Sequence, residues 1–309
     1  MAACNGSILD IKDFTVSFTR YEGLKQVNLE VIRGLDVSVG ASELVAVAGS
    51  SGSGKSLLAH ALLGILPSNC GASGEMYFKG ELLDMKRIKE LRGREIVLVP
   101  QSVNYLDPLE KVGAQVRRER KDSGSIRRQE ELFEFYGLKN ETAGLYPFEL
   151  SGGMARRVLL ASAMMDKPSL IIADEPTPGL HLSAAKKAML HFREFADSGN
   201  AVLLITHDLE LALEVADKVV IFYAGTTVES ASASDFKSVD SLRHPYTKAL
   251  WHALPQNGFK AVSGVQPCPG ELPEGCSFAP RCSMRTSACA GDVHLREVRG
   301  GKVRCVHAA

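Results

Sequence analysis

The residues most able to do chemistry stand in one glycine-rich run, Gly49-Ser50-Ser51-Gly52-Ser53-Gly54-Lys55-Ser56, which fits G-x-x-x-x-G-K-[ST] at every position. Glycines at these spacings let backbone N–H groups turn inward around phosphates without Cβ clashes. Lys55 is then expected to reach the β- and γ-phosphates of a nucleotide, and the Ser56 hydroxyl to ligate Mg²⁺. A helix opening here, with Leu57 in its first turn, adds the positive end of its dipole. A flexible Gly/Ser linker rarely ends in Lys-Ser, and rarely sits between a buried strand and an amphipathic helix.

A second reactive group follows the apolar run Leu170–Ala173, which ends in Asp174-Glu175. At the carboxyl edge of a parallel sheet such a pair is delivered beside the phosphate loop. Asp174 is placed to hold Mg²⁺ through water, and Glu175 to polarise an attacking water as general base. Taken alone, two acids at a strand end read equally well as a solvated cap; the conjunction with the phosphate loop favours the catalytic reading.

Positioning these groups requires an α/β fold. Leu44–Ala48 is a continuous apolar strand running into the loop, and Ser56–Leu66 has a helical pattern. Leu170–Ala173, Val202–Ile205 and Val219–Phe222 read as further buried strands. Ile8–Phe18 alternates as an edge strand, and Val27–Val39 as a strand pair turning at Arg33-Gly34. Between about Gly80 and Leu160 the chain turns charged and helical, as in Arg117–Tyr136, which suggests a helical subdomain. Past about Ser230 it becomes rich in proline, glycine and cysteine. The expected division is a cassette over 1–230 and a separate cysteine-rich module over 231–309.

Composition sets limits on partners. Lysines plus arginines equal aspartates plus glutamates, 36 each in 309 residues, which removes any long-range pull toward nucleic acid. The N-terminus lacks the pattern of a secretory signal, and no run approaches the roughly 18 apolar residues that span a bilayer. A membrane link is therefore expected to come through a partner.

Leu150-Ser151-Gly152-Gly153-Met154 places a serine N-cap and two glycines ahead of a helix. With the two groups above, it resembles the signature motif of ABC ATPases, whose usual form has Gln where Met154 stands. The resemblance covers about residues 8–230 and implies a dimer, with Ser151, Gly152 and Gly153 serving the ATP bound by a second cassette. It also implies that Gln101, after Ile96–Val99, is the Q-loop glutamine that senses Mg²⁺ and meets a transmembrane partner. His207 would be the switch histidine on the γ-phosphate, and Phe18, or alternatively Tyr21, the aromatic ring on adenine. One departure is His181, which stands where the family has an aspartate bridging the two ATP sites and implies an unequal pair.

His244-Pro245-Tyr246-Thr247-Lys248-Ala249-Leu250 and Gly275–Cys282 resemble the tail of the oligopeptide, dipeptide and nickel importer ATPases. That resemblance implies two transmembrane permease subunits, an extracytoplasmic solute-binding protein, a different second cassette, and a place on the cytoplasmic face of the cell membrane. Cys276, Cys282, Cys289 and Cys305, with five, six and fifteen residues between them, match the family's tail cysteines. They would hold a [4Fe–4S] cluster or, alternatively, Zn²⁺; Cys268 would be a spare or a substitute ligand, and Cys4 and Cys70 are isolated. The rival class is a soluble ABC ATPase of DNA repair, translation or regulation, which a single cassette and zero net charge disfavour.

Overall fold

The computed structural model describes residues 6–50 and 52–309, and for Glu22 the backbone only. Ser51 and Cys4 lie outside the described residues. In chain order the elements are β1 (Ser7–Glu22), β2 (Lys25–Gly40), β3 (Glu43–Gly49), α1 (Lys55–Leu62), β4 (Cys70–Phe78), β5 (Glu81–Leu82), α2 (Met85–Leu91) and β6 (Ile96–Val99). There follow α3 (Val112–Val116), α4 (Ser123–Phe135), α5 (Gly152–Ala163), β7 (Leu170–Asp174), α6 (Leu182–Asp197), β8 (Ala201–Thr206) and α7 (Leu209–Leu213). The chain continues with β9 (Lys218–Tyr223), β10 (Thr226–Ser232), α8 (Pro245–Ala253), β11 (Arg296–Val298) and β12 (Gly301–Val303).

Strands β6, β7, β8, β3 and β9 pair in parallel and form the heart of an eight-stranded sheet, continued on one side by antiparallel β10, β12 and β11. Both faces of β3 are buried. Leu44, Ala46 and Ala48 face a core shared with Val158 of α5 and Phe192 of α6. Val45 and Val47 face the opposite core, shared with Leu58 and Leu62 of α1 and Ile32 and Val39 of β2. This double coverage explains why β3, β7 and β8 read as unbroken apolar runs.

The second sheet, in the order β2-β1-β4-β5, differs from expectation. Strand β1 is interior because β4 pairs along its other side, a partner hidden in the small and polar run Cys70–Gly74. Nor does the chain turn at Arg33-Gly34. Lys25–Gly40 is one strand, and Gly34 at φ 58° with Asp13 at φ 47° marks a kink where the register slips. The helical pattern over 117–136 also starts later, at Ser123, where Asp122 caps the Ser125 amide; Arg118 and Glu119 before it adopt positive φ.

The C-terminal residues run back into the main sheet. Glu229 of β10 pairs with Val303 of β12, so the tail completes the main sheet. A buried ion network fixes the joint. Arg243 and Glu229, with side chains 2% and 0% exposed, pair at 3.2 Å, and Arg243 also reaches Asp235 at 2.8 Å. Its remaining N–H groups donate to the Val298 and Arg299 carbonyls, while Glu229 accepts from the Arg243 and His244 amides. Replacing Arg243 by Met would leave a buried carboxylate without its cation, so Arg243→Met is expected to cost about 3–5 kcal/mol in chemical denaturation. A loss below about 1 kcal/mol would show that the joint does not hold the tail.

Candidate functional site

The phosphate loop leaves β3 at Gly49, where a Cβ would drive into the carbonyl oxygen of Phe222 on neighbouring β9. It enters α1 at Gly54, whose φ of 95° lies in the left-handed region and whose missing side chain makes room for Val31 and Ile32. Gly52 also adopts positive φ, at 76°. Within this turn Lys55 folds back, donating to the Gly49 carbonyl at 2.9 Å, the Ser50 carbonyl at 2.9 Å and Ser53 Oγ at 3.5 Å. Burial lowers the pKa of Lys55, and the charges of Glu175 and Asp174 pull it back up.

Strand β7 delivers the two acids to the same place. The Ser56 hydroxyl donates to Asp174 Oδ1 at 3.2 Å. Burial raises the pKa of Asp174, the Ser56 hydrogen bond lowers it, and neighbouring Glu175 raises it again. A hydroxyl and a carboxylate at this separation suit a hard cation with oxygen ligands such as Mg²⁺. Glu175 is held at φ 47°, with its amide donating to the Ile205 carbonyl on β8 at 2.8 Å. His207 follows the end of β8, and its Nδ1 lies 2.8 Å from both Glu175 oxygens. Glu175 Oε1 hydrogen-bonds it, while buried Oε2 has no partner in hydrogen-bonding geometry.

Lys55, Ser56, Asp174, Glu175 and His207 are therefore in one place, beside Gly49, Ser50, Gly52, Ser53, Gly54 and Leu57. The remaining expected site residues lie elsewhere. Ser151 caps α5 by accepting from the Met154 amide at 3.3 Å, and Ser151 and Gly152 are exposed. Among the described residues no hydrogen bond joins 151–153 to the phosphate loop. Gly153 instead faces the Gly179 carbonyl, in the segment that leads to exposed His181. The Gln101 side chain is exposed. Phe18 is half-buried on β1 opposite Leu29, two residues along β2 from the Val31 that packs on Gly54. Tyr21, the alternative, is largely exposed.

Sequence reasoning passed over Arg156, on the helix that Ser151 caps. Its guanidinium is buried and donates to the carbonyls of Pro100, at 2.6 Å, and Gln101. Burial lowers its pKa, and Asp174 and Glu175 raise it. Only the arginine itself signals this tie; its partners lie more than fifty residues away in sequence. The four tail cysteines line one small cavity together with His244 and His307, with Cys289 Sγ 3.4 Å from His307 Nε2. Burial raises the pKa of Cys276, Cys282 and Cys305. Yet among the described residues no group of three or more His, Cys, Asp or Glu side chains is arranged to hold a metal ion.

Arg156→Met keeps the length of the side chain and leaves the Pro100 and Gln101 carbonyls without their donor. Amide exchange over residues 101–104 is expected to accelerate about tenfold, corresponding to roughly 1.4 kcal/mol, while β7 stays protected. Equal exchange in both proteins would show that the loop is held by other contacts.

Among known proteins, the family described as "ABC transporter" matches residues 32–178, and "Oligopeptide/dipeptide transporter, C-terminal region" matches residues 228–289. The probable D,D-dipeptide transport ATP-binding protein DdpD of Escherichia coli is 33% identical, over 96% of this chain and 95% of its own. The oligopeptide transport ATP-binding protein AppD of Bacillus subtilis is 31% identical, over 97% and 96%. A solved dimeric ATP-binding cassette bound to ADP and Pi superposes with a TM-score of 0.63 at 25% identity, over 73% of this chain and 98% of that one. With the phosphate loop, the acid pair and the histidine gathered at one sheet edge, these likenesses place the chain among the ATP-binding subunits of ABC transporters, in the group that carries the oligopeptide/dipeptide C-terminal region.

Proposed function

We propose that the chain is the ATP-hydrolysing subunit of an importer for peptides, driving separate transmembrane permeases that receive solute from an extracytoplasmic binding protein. The observation that carries this reading is the conjunction of buried Lys55, Asp174 and Glu175, met by His207, with a C-terminal region of the oligopeptide/dipeptide kind. Nickel or a metal chelate is the alternative solute, and a separate soluble ATPase the alternative role. No helix among the described residues is long and apolar enough to cross a membrane, in keeping with a subunit bound to the cytoplasmic face through its permeases.

In the reaction, Lys55 leaves the Gly49 and Ser50 carbonyls for the phosphates, and backbone N–H groups of the loop line the phosphate oxygens. Ser56 and Asp174 would hold Mg²⁺, whose charge offsets that of the phosphates. Glu175 Oε2, buried and close to His207 but outside hydrogen-bonding geometry, is the acceptor left for the attacking water's proton. His207 holds the other carboxylate oxygen and faces solvent, where the γ-phosphate arrives. Ser151–Gly153 serve the nucleotide of a second cassette, and His181 favours a different chain as that partner. Tyr105 and Leu109, exposed and a few residues beyond Gln101 in sequence, are candidates for contact with the permeases.

The Glu175→Gln variant, with MgATP present, is expected to bind nucleotide, hydrolyse it at least a hundredfold more slowly, and hold its complex closed. Affinity purification of that variant from gently solubilised membranes should recover two polytopic proteins and a second cassette. Recovery alone, or with ribosomal or repair proteins, would leave an ATPase without the transport role.

A second reading keeps a metal at Cys276, Cys282, Cys289 and Cys305, supported by their convergence on one cavity. Anaerobic purification with iron, sulfide and zinc analysis is expected to give stoichiometric metal on this reading. A colourless, metal-free chain would remove it.

A further inference from the structure

The phosphate loop is touched from outside the nucleotide-binding segments. The Ser50 hydroxyl donates to Gln266 Oε1 at 2.5 Å, across 216 residues of sequence, and the same oxygen lies 3.4 Å from the Ala224 amide after β9. Tyr246, in the His-Pro-Tyr run that opens α8, is buried beside Ser50; burial raises its pKa and Ser50 lowers it in part. Its ring lies 4.4 Å from Tyr223 and 5.2 Å from Phe278, centroid to centroid. The segment that carries Gln266 is itself pinned: Arg281 donates to the Val262 and Ser263 carbonyls at 3.0 and 2.8 Å.

Ser50 is thus a joint with two ends. Its carbonyl holds Lys55, and its side chain is held from the C-terminal region. We propose that Gln266, supported by Tyr246, is a positioning residue of the nucleotide site: it fixes Ser50, and through it Lys55, so that the loop stays open to the phosphates. Without this tie Ser50 is free to shift, and the loop loses the fixed start from which its N–H groups reach the phosphates. ATP affinity in this chain then depends on residues far outside the phosphate-binding motif. The inference rests on Gly49–Ser56 being the nucleotide site.

Its test is the affinity of the full chain for a fluorescent MgATP analogue, together with kcat and KM for ATP. Gln266→Met fills the same space without an acceptor. It is expected to weaken binding about tenfold and raise KM to match, with kcat and Tm essentially unchanged, as for one lost hydrogen bond. Ser50→Ala cuts the same bond from the loop side, and the double variant should lose no more than either single one. Unchanged affinity in Gln266→Met, or additive losses in the double variant, would overturn the proposal. If Gln266→Met fails to fold, Ser50→Ala alone decides, and wild-type affinity there overturns it. Lys55→Ala separates the two levels of inference: if it binds like wild type, the nucleotide-site reading itself falls and this proposal with it.

Discussion

Four charges held out of water at one end of a parallel sheet set the terms for the rest of the molecule. Lys55, Arg156, Asp174 and Glu175 are each at most 6% exposed, two cations against two carboxylates. Burial of any one of them alone would cost several kcal/mol, and their mutual attraction offsets that cost only while all four stay in register. The constraint reaches outward. β7 must end at Asp174, the loop after β3 must curl tightly enough to fold Lys55 back, and α5 must start where Arg156 can reach inward. Ser56, His207 and the carbonyls of residues 100 and 101 then satisfy most of the remaining polar atoms. Arg156 Nε and Glu175 Oε2 are left outside hydrogen-bonding geometry, and Oε2 sits where the proposed reaction needs an acceptor.

Much of this could be read from the residues because the information is local. β3, β7, β8 and β9 are short apolar runs covered on both faces, and the phosphate loop writes its geometry in glycines and one lysine. What could not be read is long-range or irregular. β4 hides in small and polar residues, and takes its place only through pairing with β1. The kink at Gly34 looks like a turn when its partner Asp13 is not in view. Arg156 and Gln266 belong to the site through partners far along the chain, so no spacing rule finds them. The exposure of Gln101 was not encoded in a pattern.

The C-terminal region shows the same limit. A change to proline-, glycine- and cysteine-rich sequence suggested a separate module, yet β11 and β12 are three residues each, too short for periodicity to announce. What makes them part of the main sheet is the Glu229–Arg243 pair beneath them. A buried carboxylate needs its cation, and that cation needs the carbonyls of Val298 and Arg299. Tail and cassette are joined by this charge satisfaction and by Leu242, Tyr246 and Phe278, which are buried in the main core.

This joint also has a bearing on the order in which the protein is put together. β10 ends at Ser232 and β12 begins at Gly301, so roughly seventy residues of chain must be closed into a loop before the two can pair. Until then β10 offers a bare row of N–H and C=O groups beside β9, open to pairing with any neighbouring chain. Docking of the tail is expected to be a late event, after the local β-α-β contacts have formed, and the vulnerable species would be one with its parallel strands paired and an unfinished edge.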